Sequence, residues 1–355
     1  MPPRPPPPWN RRPAERLTVS SISTNAETKE NEPGLDGPVR KVVAVVIPAY
    51  KVSRYVLDVI CRIGPEVSKI YVVDDACPEE SGRHVERECN DPRVTVVFNT
   101  VNSGVGGAMI AGYKRAIADG VDIVVKVDGD GQMDPRFIPL LIRPILKGRA
   151  DYAKGNRFFT LESVQPMPPV RIMGNAVLSF MAKLSTGYWN IFDPTNGYTA
   201  IQGKVLAELP LDKISRRYFF ETDMLFRLNT LQAVVVDVPM KAVYGDEPSN
   251  LRVSQVIPEF IVNHCLNFAK RFFYNYLLRN FSVFSIELML GTVVLLAGIT
   301  FGAVMWYSFA SRGVPATSGI VMIAALPCIL GTQFVLSFLN WDAQNVPKDP
   351  LHHRL

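Results

Sequence analysis

The spacing of apolar residues changes three times along this chain. Up to about residue 38 there is little to bury: MPPRPPPPWNRRP leads into a polar run of Ser, Thr, Asn, Glu and Gly. Proline fixes φ and removes a backbone donor, so residues 1–38 read as a disordered, Pro-rich, solvated tail. PPRPPPP also has the form of a proline ligand for an SH3-like partner, although the solvated tail is the favoured reading. The tail has no apolar core of the kind a secretory signal needs.

From residue 42 short, almost wholly apolar runs alternate with helix-length segments. VVAVVI (42–47), IYVV (70–73), VTVVF (94–98) and DIVVKV (122–127) predict strands, with helices over 54–63 and 107–118. Strands apolar on both faces and separated by helices predict an α/β domain with a mostly parallel sheet, here over 39–255. In such sheets ligands collect at the carboxyl ends of the strands.

Beyond Arg252 the texture changes again. In PEFIVNHCLNFAKRFFYNYLLRN (258–280) Glu259, Asn263, Asn267, Lys270, Arg271, Asn275 and Arg279 recur every three or four residues. Phe260, Ile261, Cys265, Phe268, Phe272 and Tyr276 fall on the other side. This predicts an amphipathic helix at a membrane interface over 256–281, with Lys270, Arg271 and Arg279 near anionic lipid. Residues 288–311 and 313–341 then carry no charge, and each run exceeds the ~20 residues a helix needs to cross hydrocarbon. They predict a transmembrane hairpin within 284–341, followed by a tail over 342–355. Lys270, Arg271 and Arg279 precede the pair and Lys348 and Arg354 follow it, against Arg312 alone in the connector. That bias predicts that the large N-terminal domain and both termini lie in the cytosol. Pro327 is expected to kink the second span.

Composition narrows the classes. With 355 residues, 48% hydrophobic and 20% charged, the chain is neither largely disordered nor fibrous. Five cysteines without a CxxC pair, together with four histidines, argue against a zinc module or disulfide scaffold and fit a reducing compartment. A net charge of +5 is too mild to imply nucleic acid.

The candidate chemistry follows the strands. Asp128-Gly129-Asp130-Gly131-Gln132 leaves the fourth. Asp128 and Asp130 can face one divalent cation, and Gln132 adds a neutral oxygen, a donor set suited to Mg²⁺ or Mn²⁺. By itself the pattern fits an acidic turn equally well. An EF-hand is excluded because its sixth position is Met133 and its twelfth Pro139. Pro48-Ala49-Tyr50 follows the first strand, Asp74-Asp75-Ala76-Cys77-Pro78-Glu79 the second, and Asn102-Ser103-Gly104-Val105-Gly106-Gly107 the third; Lys154-Gly155-Asn156-Arg157 comes soon after the acidic cluster. Tyr50 can line a base-sized pocket and Asp75 can accept from ribose or base. Gly104, Gly106 and Gly107 permit close approach of an anion at a helix N-terminus, and Arg157 suits phosphate oxygens. Together they describe a nucleoside diphosphate held by a metal ion. A dinucleotide dehydrogenase does not fit, since its Gly-rich turn follows the first strand.

The series IPAY, VVDDA, NSGVGGA, VDGDGQMDP and KGNR resembles the inverting glycosyltransferase family 2, whose fold is GT-A, over roughly residues 41–255. With the amphipathic helix and hairpin, the chain is similar to polyprenyl-phosphate glycosyltransferases, including dolichol-phosphate mannose synthases. The resemblance implies metal-dependent transfer of a sugar from a UDP- or GDP-linked donor to an undecaprenyl or dolichyl phosphate at the membrane. By position it implies nucleotide-sugar contacts from Pro48, Ala49, Tyr50, Val73, Asp75, Gly104, Asp128, Gly129, Asp130, Glu221 and Asp223. Asp128, Asp130 and Gln132 would hold the metal. Arg157, Ser249 and Arg252 would clamp phosphates, and Asp130, Asp193 and Arg157 would stand nearest the chemistry. Homo-oligomers packed through the membrane helices are compatible with the family. Three positions depart from its pattern: Lys51-Val52 stands for the usual Asn-Glu, DDACP for DDGS or DDGSP, and Ala242 for the Arg of the mannose synthases. Two other readings remain in view: a membrane-bound family 2 transferase extending a glycan or a lipid-diphosphate sugar, and a non-catalytic sugar-nucleotide scaffold. No QxxRW motif of processive synthases occurs.

Overall fold

The computed structural model describes residues 41–159, 169–240 and 253–355. The Pro-rich tail and the clamp residues Ser249 and Arg252 lie outside the described residues. Within them, the four apolar runs form β1 (Val43–Ala49), β2 (Lys69–Asp74), β3 (Val94–Phe98) and β4 (Ile123–Lys126). Between and after them come α1 (Val56–Cys61), α2 (Ser81–Glu88), α3 (Gly104–Ala118) and α4 (Ile138–Leu146). Alternate strand residues face opposite layers, as a period of two demands. Ala44, Val46, Tyr71, Val73 and Val124 pack with Met109 and Tyr113 of α3. Val43, Val45, Ile47, Val72 and Val125 pack with Val59 and Ile60 of α1 and with Leu141 and Ile142 of α4.

Three further strands, β5 (Tyr152–Asn156), β6 (Thr199–Gln202) and β7 (Val235–Pro239), complete a seven-stranded sheet of order β3-β2-β1-β4-β6-β5-β7. Between them lie α5 (Pro169–Thr186), α6 (Gly203–Glu208) and α7 (Phe220–Thr230). Only β6 runs backwards, antiparallel to both β4 and β5, in a GT-A-like α/β layout. The reversal matters for chemistry. Thr199, where β6 begins, pairs with Lys126 near the end of β4 and with Lys154 of β5. The segment leading into β6 therefore arrives at the edge where its antiparallel neighbours β4 and β5 leave the sheet.

Helix α8 (Val253–Arg271) continues in wider π-type turns over Phe272–Arg279. The expected polar face is split: Asn267, Arg271 and Asn275 turn inward, whereas Lys270 and Arg279 are exposed. His264, Asn267, Arg271, Asn275 and Tyr276 are buried, while Ile257, Ile261, Val262, Leu266, Phe273, Tyr274 and Leu278 are exposed. The polar face docks on the catalytic body. His264 Nδ1 lies 2.7 Å from Ser185 Oγ on α5, and burial lowers the His264 pKa to about 4, so this contact is made by a neutral imidazole at physiological pH.

Arg271, expected beside lipid, is 1% exposed because it is claimed by Asp342. Asp342 lies in α10 (Ser318–Gln344), which pairs with α9 (Val283–Arg312). Its carboxylate receives Arg271 Nη1 at 2.7 Å, Nη2 at 2.9 Å and Trp189 Nε1 at 2.8 Å, and the Tyr276 hydroxyl as well. Arg271 Nη2 also donates to the carbonyl of Leu184 at 2.7 Å.

The two helices have 30 and 27 residues and mean hydropathies of 2.2 and 2.1, with 11% and 6% of their most apolar windows buried. So much exposed hydrocarbon in two successive helices distinguishes them from core helices of a water-soluble domain and makes them candidate membrane spans. They approach closely through small residues: a Cβ on Gly331 would lie 2.6 Å from the backbone nitrogen of Leu295. Pro327 sits inside an assigned continuous helix, with Gly298 packed against it. After α10 the chain returns to the sheet. Leu351 N and His352 N donate to the buried carboxylate of Asp151 at 2.7 and 2.9 Å, and His352 Nδ1 lies 2.6 Å from it. Both outer ends of the hairpin therefore attach to the same body.

Removing one partner of a buried, hydrogen-bonded ion pair strands the other charge, at a cost of about 3–5 kcal/mol. Asp342→Ala is expected to lose that much stability in detergent-solubilised protein, read from denaturant midpoints. Arg271→Met combined with Asp342→Leu should recover most of the loss.

Candidate active site

The carboxyl edge of β4 carries Asp128, Asp130 and Gln132 on a turn that bends at Gly131, whose φ is +79°. Asp130 Oδ1 accepts from Gln132 N at 3.0 Å, which curls the loop. Asp128 Oδ1 is buried, 2.9 Å from Lys126 Nζ, with no hydrogen bond aligned on it. Among the described residues no group of three or more His, Cys, Asp or Glu gathers around one point. The chain thus offers two carboxylates and an amide oxygen. That set fits Mg²⁺ or Mn²⁺, which commonly complete their shells with substrate phosphate and water, better than it fits zinc or calcium.

Lys126 is the first residue that motif reading missed. It points from β4 into the protein, 1% exposed, and its ammonium reaches both Asp128 and Glu221 Oε1, the latter at 3.2 Å. Burial would lower its pKa, but the two carboxylates outweigh that and raise it. A lysine inside an otherwise apolar strand was the available signal, because a buried charge requires partners.

Beside it, β5 delivers Lys154, Asn156 and Arg157, and the segment entering β6 delivers Asp193 and Asn196. Arg157 grips the fully buried Asp193 in a two-pronged pair, Nε to Oδ2 at 2.8 Å and Nη2 to Oδ1 at 3.0 Å, with a 3.3 Å bond from its backbone N–H. Lys154 Nζ donates to the carbonyl of Asn196, and burial pulls its pKa down to about 8 against the opposing pull of Glu221 and Asp193. Asp237 of β7 braces both loops, accepting from Asn156 Nδ2 at 2.9 Å and Phe192 N at 2.8 Å. Asp193, Arg157, Glu221 and the acidic turn therefore share one edge of the sheet.

Other expected contacts have different employment. Both oxygens of Asp75 are taken up by this chain: Asn99 Nδ2 at 2.8 Å, Ser103 N at 3.0 and 3.1 Å, and Gly104 N at 2.8 Å. The Asp75 carboxylate thus caps the N-terminus of α3. Gly104 and Gly106 admit close neighbours, but those neighbours are the carbonyls of Arg216 and Ser215, at 2.7 and 2.5 Å from where a Cβ would stand. Val73 and Ala49 are wholly buried and act as core residues. Tyr50, just beyond Pro48, remains 43% exposed and available to a planar ligand. Gly129 packs against Pro48 and Ile47, holding the acidic turn onto β1. Asp223 is a fastener: it accepts from Ser215 N at 2.9 Å, Arg227 Nε at 3.1 Å and Asn267 Nδ2 of α8 at 3.2 Å.

Two of the departures from the family pattern, Lys51-Val52 and the DDACP segment, lie in one connected patch; Ala242 lies outside the described residues. Lys51 N donates to Cys77 Sγ at 3.0 Å and Val52 N to Ser81 Oγ at 3.2 Å. Lys51 and Ala76 adopt left-handed φ of 59° and 51°, at a cost of roughly 1–2 kcal/mol for each non-glycine residue.

The chain resembles several known proteins. The model of glycosyl transferase family 2 matches residues 44–209. Undecaprenyl-phosphate mannosyltransferase of Micrococcus luteus is 31% identical over 225 residues, covering 62% of this chain and 91% of that protein. UDP-N-acetylglucosamine–dolichyl-phosphate N-acetylglucosaminyltransferase of Methanococcus voltae is 28% identical over 220 residues, covering 58% and 87%. Among solved structures, glucosyl-3-phosphoglycerate synthase from Mycobacterium tuberculosis, in complex with Mn²⁺, uridine diphosphate and glucosyl-3-phosphoglycerate, aligns at TM-score 0.47 and 19% identity, covering 65% of this chain and 80% of that one.

Burial raises the Asp237 carboxyl to about 6, partly offset by the Phe192 N–H and by Lys154, while Asp193 reinforces it. A carboxyl raised on folding favours the folded state most below its unfolded pKa, and that contribution is lost as pH rises through the folded value. Between about pH 4 and 6.5 the wild type is expected to lose on the order of 2 kcal/mol more stability than Asp237→Asn. Urea unfolding of both proteins across that range checks it.

Proposed function

The chain belongs to glycosyl transferase family 2 and is a glycosyltransferase; from that premise we propose that it moves a sugar from a nucleotide sugar to the phosphate of a polyprenyl lipid at the cytosolic membrane face, with inversion and with Mg²⁺ or Mn²⁺. The observation that carries this reading is the continuity of site and anchor. The acidic turn at the sheet edge belongs to the same body as the outward apolar face of α8 and the hairpin, joined through Asp223–Asn267 and Arg271–Asp342. Relatives named for undecaprenyl-phosphate and dolichyl-phosphate transfer support the acceptor class.

Asp128, Asp130 and Gln132 would hold the metal, which supplies charge stabilisation to the departing diphosphate. Tyr50 walls the base pocket beside Pro48, while Asp75, Gly104 and Asp223 act indirectly by fixing the loops around the donor. Glu221, held by Lys126, faces the sugar. A phosphate acceptor, with a second pKa of ~6, is largely ionised at neutral pH and needs no strong base. Arg157 then has to hold that anion near the anomeric carbon, and Asp193 fixes the plane of its guanidinium. Ser249 and Arg252 complete the phosphate clamp in this proposal.

Exposed Ile172, Met173, Val177 and Phe180 on α5 and Ile257, Ile261, Val262 and Leu266 on α8 give neighbouring helices outward apolar faces suited to the headgroup layer. Lys270, Arg279, Lys348 and Arg354 outnumber Arg312, which supports a cytosolic catalytic domain.

Purified protein incubated with labelled nucleotide sugars, Mn²⁺ and a polyprenyl phosphate should yield label in a mild-acid-labile lipid. Water-soluble polymer would instead indicate glycan extension, and binding without any product would indicate a scaffold. Asp128→Asn with Asp130→Asn should lower turnover by at least about 10²-fold. Asp193→Asn should retain measurable turnover. Its complete loss with unchanged nucleotide-sugar affinity would make Asp193 more than an orienting residue.

A further inference from the structure

Lys126 stands where none of the sequence motifs requires a cation. Its ammonium lies 2.9 Å from Asp128 Oδ1 and 3.2 Å from Glu221 Oε1, with a side chain 2% exposed. The space it fills is kept open by a neighbouring glycine: a Cβ on Gly197 would collide with Lys126 Nζ and come within 3.1 Å of Asp128 Oδ2. Asp128 belongs to the turn after β4 and Glu221 to α7, so one ammonium spans both walls of the site. So buried an ammonium is screened little by solvent, and its interaction with both carboxylates is correspondingly strong.

Asp128 is therefore compensated before a divalent ion arrives. A metal ion taken up by Asp128 and Asp130 shares the Asp128 carboxylate with a fixed positive charge. Like charges at that range oppose one another, and a nucleoside diphosphate brings the negative charge that relieves the opposition.

We propose that Lys126 is an internal counter-ion that weakens metal binding to the free enzyme, so that the divalent cation is retained only together with the nucleoside diphosphate. This inference rests on the metal-dependent reading above. Lys126 is a positioning residue, since it acts through Asp128 and Glu221 rather than on substrate.

The test is Mn²⁺ binding to the full-length protein in detergent, followed by the loss of the free-ion electron paramagnetic resonance signal, with no nucleotide and with UDP or GDP. Without nucleotide, Lys126→Met should bind Mn²⁺ at least about tenfold more tightly than wild type, and Lys126→Arg should bind as wild type does. Lys126→Met with Glu221→Gln removes one charge of each sign, avoiding an unbalanced buried carboxylate; it should show the same gain if the single variant fails to fold. In wild type, UDP or GDP should tighten Mn²⁺ binding, and in the Lys126→Met forms that dependence should shrink. Affinity within twofold of wild type in the folded Met variants overturns the role of Lys126. Failure of every form to bind Mn²⁺ even with both nucleotides overturns the metal-dependent reading itself, a result separable from the first.

Discussion

Charges withdrawn from water must meet opposite charge or several hydrogen-bond donors, and this constraint organises the molecule. At the sheet edge it joins Lys126 to Asp128 and Glu221, and Arg157 to Asp193. Where α8 meets the hairpin it joins Arg271 to Asp342. Dispersion and hydrophobic burial build the sheet and its helices, but they do not specify where the hairpin attaches. The pairing of particular charges does, because an Arg271 without Asp342 would leave a guanidinium uncompensated inside the protein.

The first half of the fold was legible because β1 to β4 are almost purely apolar and each is followed by a special residue at the same edge. The second half was not. Strand β5 reads Tyr-Ala-Lys-Gly-Asn, β6 Thr-Ala-Ile-Gln and β7 Val-Val-Asp-Val-Pro, so hydropathy alone does not announce them. Their polar members are tolerated because each finds a partner: Lys154 the Asn196 carbonyl, Asp237 the Asn156 amide. The reversal of β6 hid a further rule. Searching after each strand works for parallel neighbours, whereas Asp193 and Asn196 reach the edge from before a strand, and only the resemblance to a family pointed to Asp193.

The amphipathic helix teaches a related lesson. Its period was plain in the sequence, but period does not say which face is wet. Asn267, Arg271 and Asn275 look like a solvated face until their partners Asp223, Asp342 and Asn229 are known. Likewise Asp75 read as an acceptor for ribose or base and the glycines after β3 as a place for an anion, and in the structure the Asp75 carboxylate caps the helix that the glycines begin. Local chemistry identifies a group's capacity; tertiary neighbours decide whether that capacity is already spent.

The return of residues 351–353 to Asp151 bears on what the hairpin is. Besides those late arrivals, Asp151 has Val234 N at 2.7 Å. A version of the chain cut before the spans would leave this carboxylate with Val234 N and without the partners from Leu351 and His352, and a cut earlier still would also expose the polar face that α8 covers. The hairpin is therefore not a detachable leash but leads to a wall supplied from the far end of the polypeptide, and excising it would yield a differently shaped protein rather than a trimmed copy of the same one.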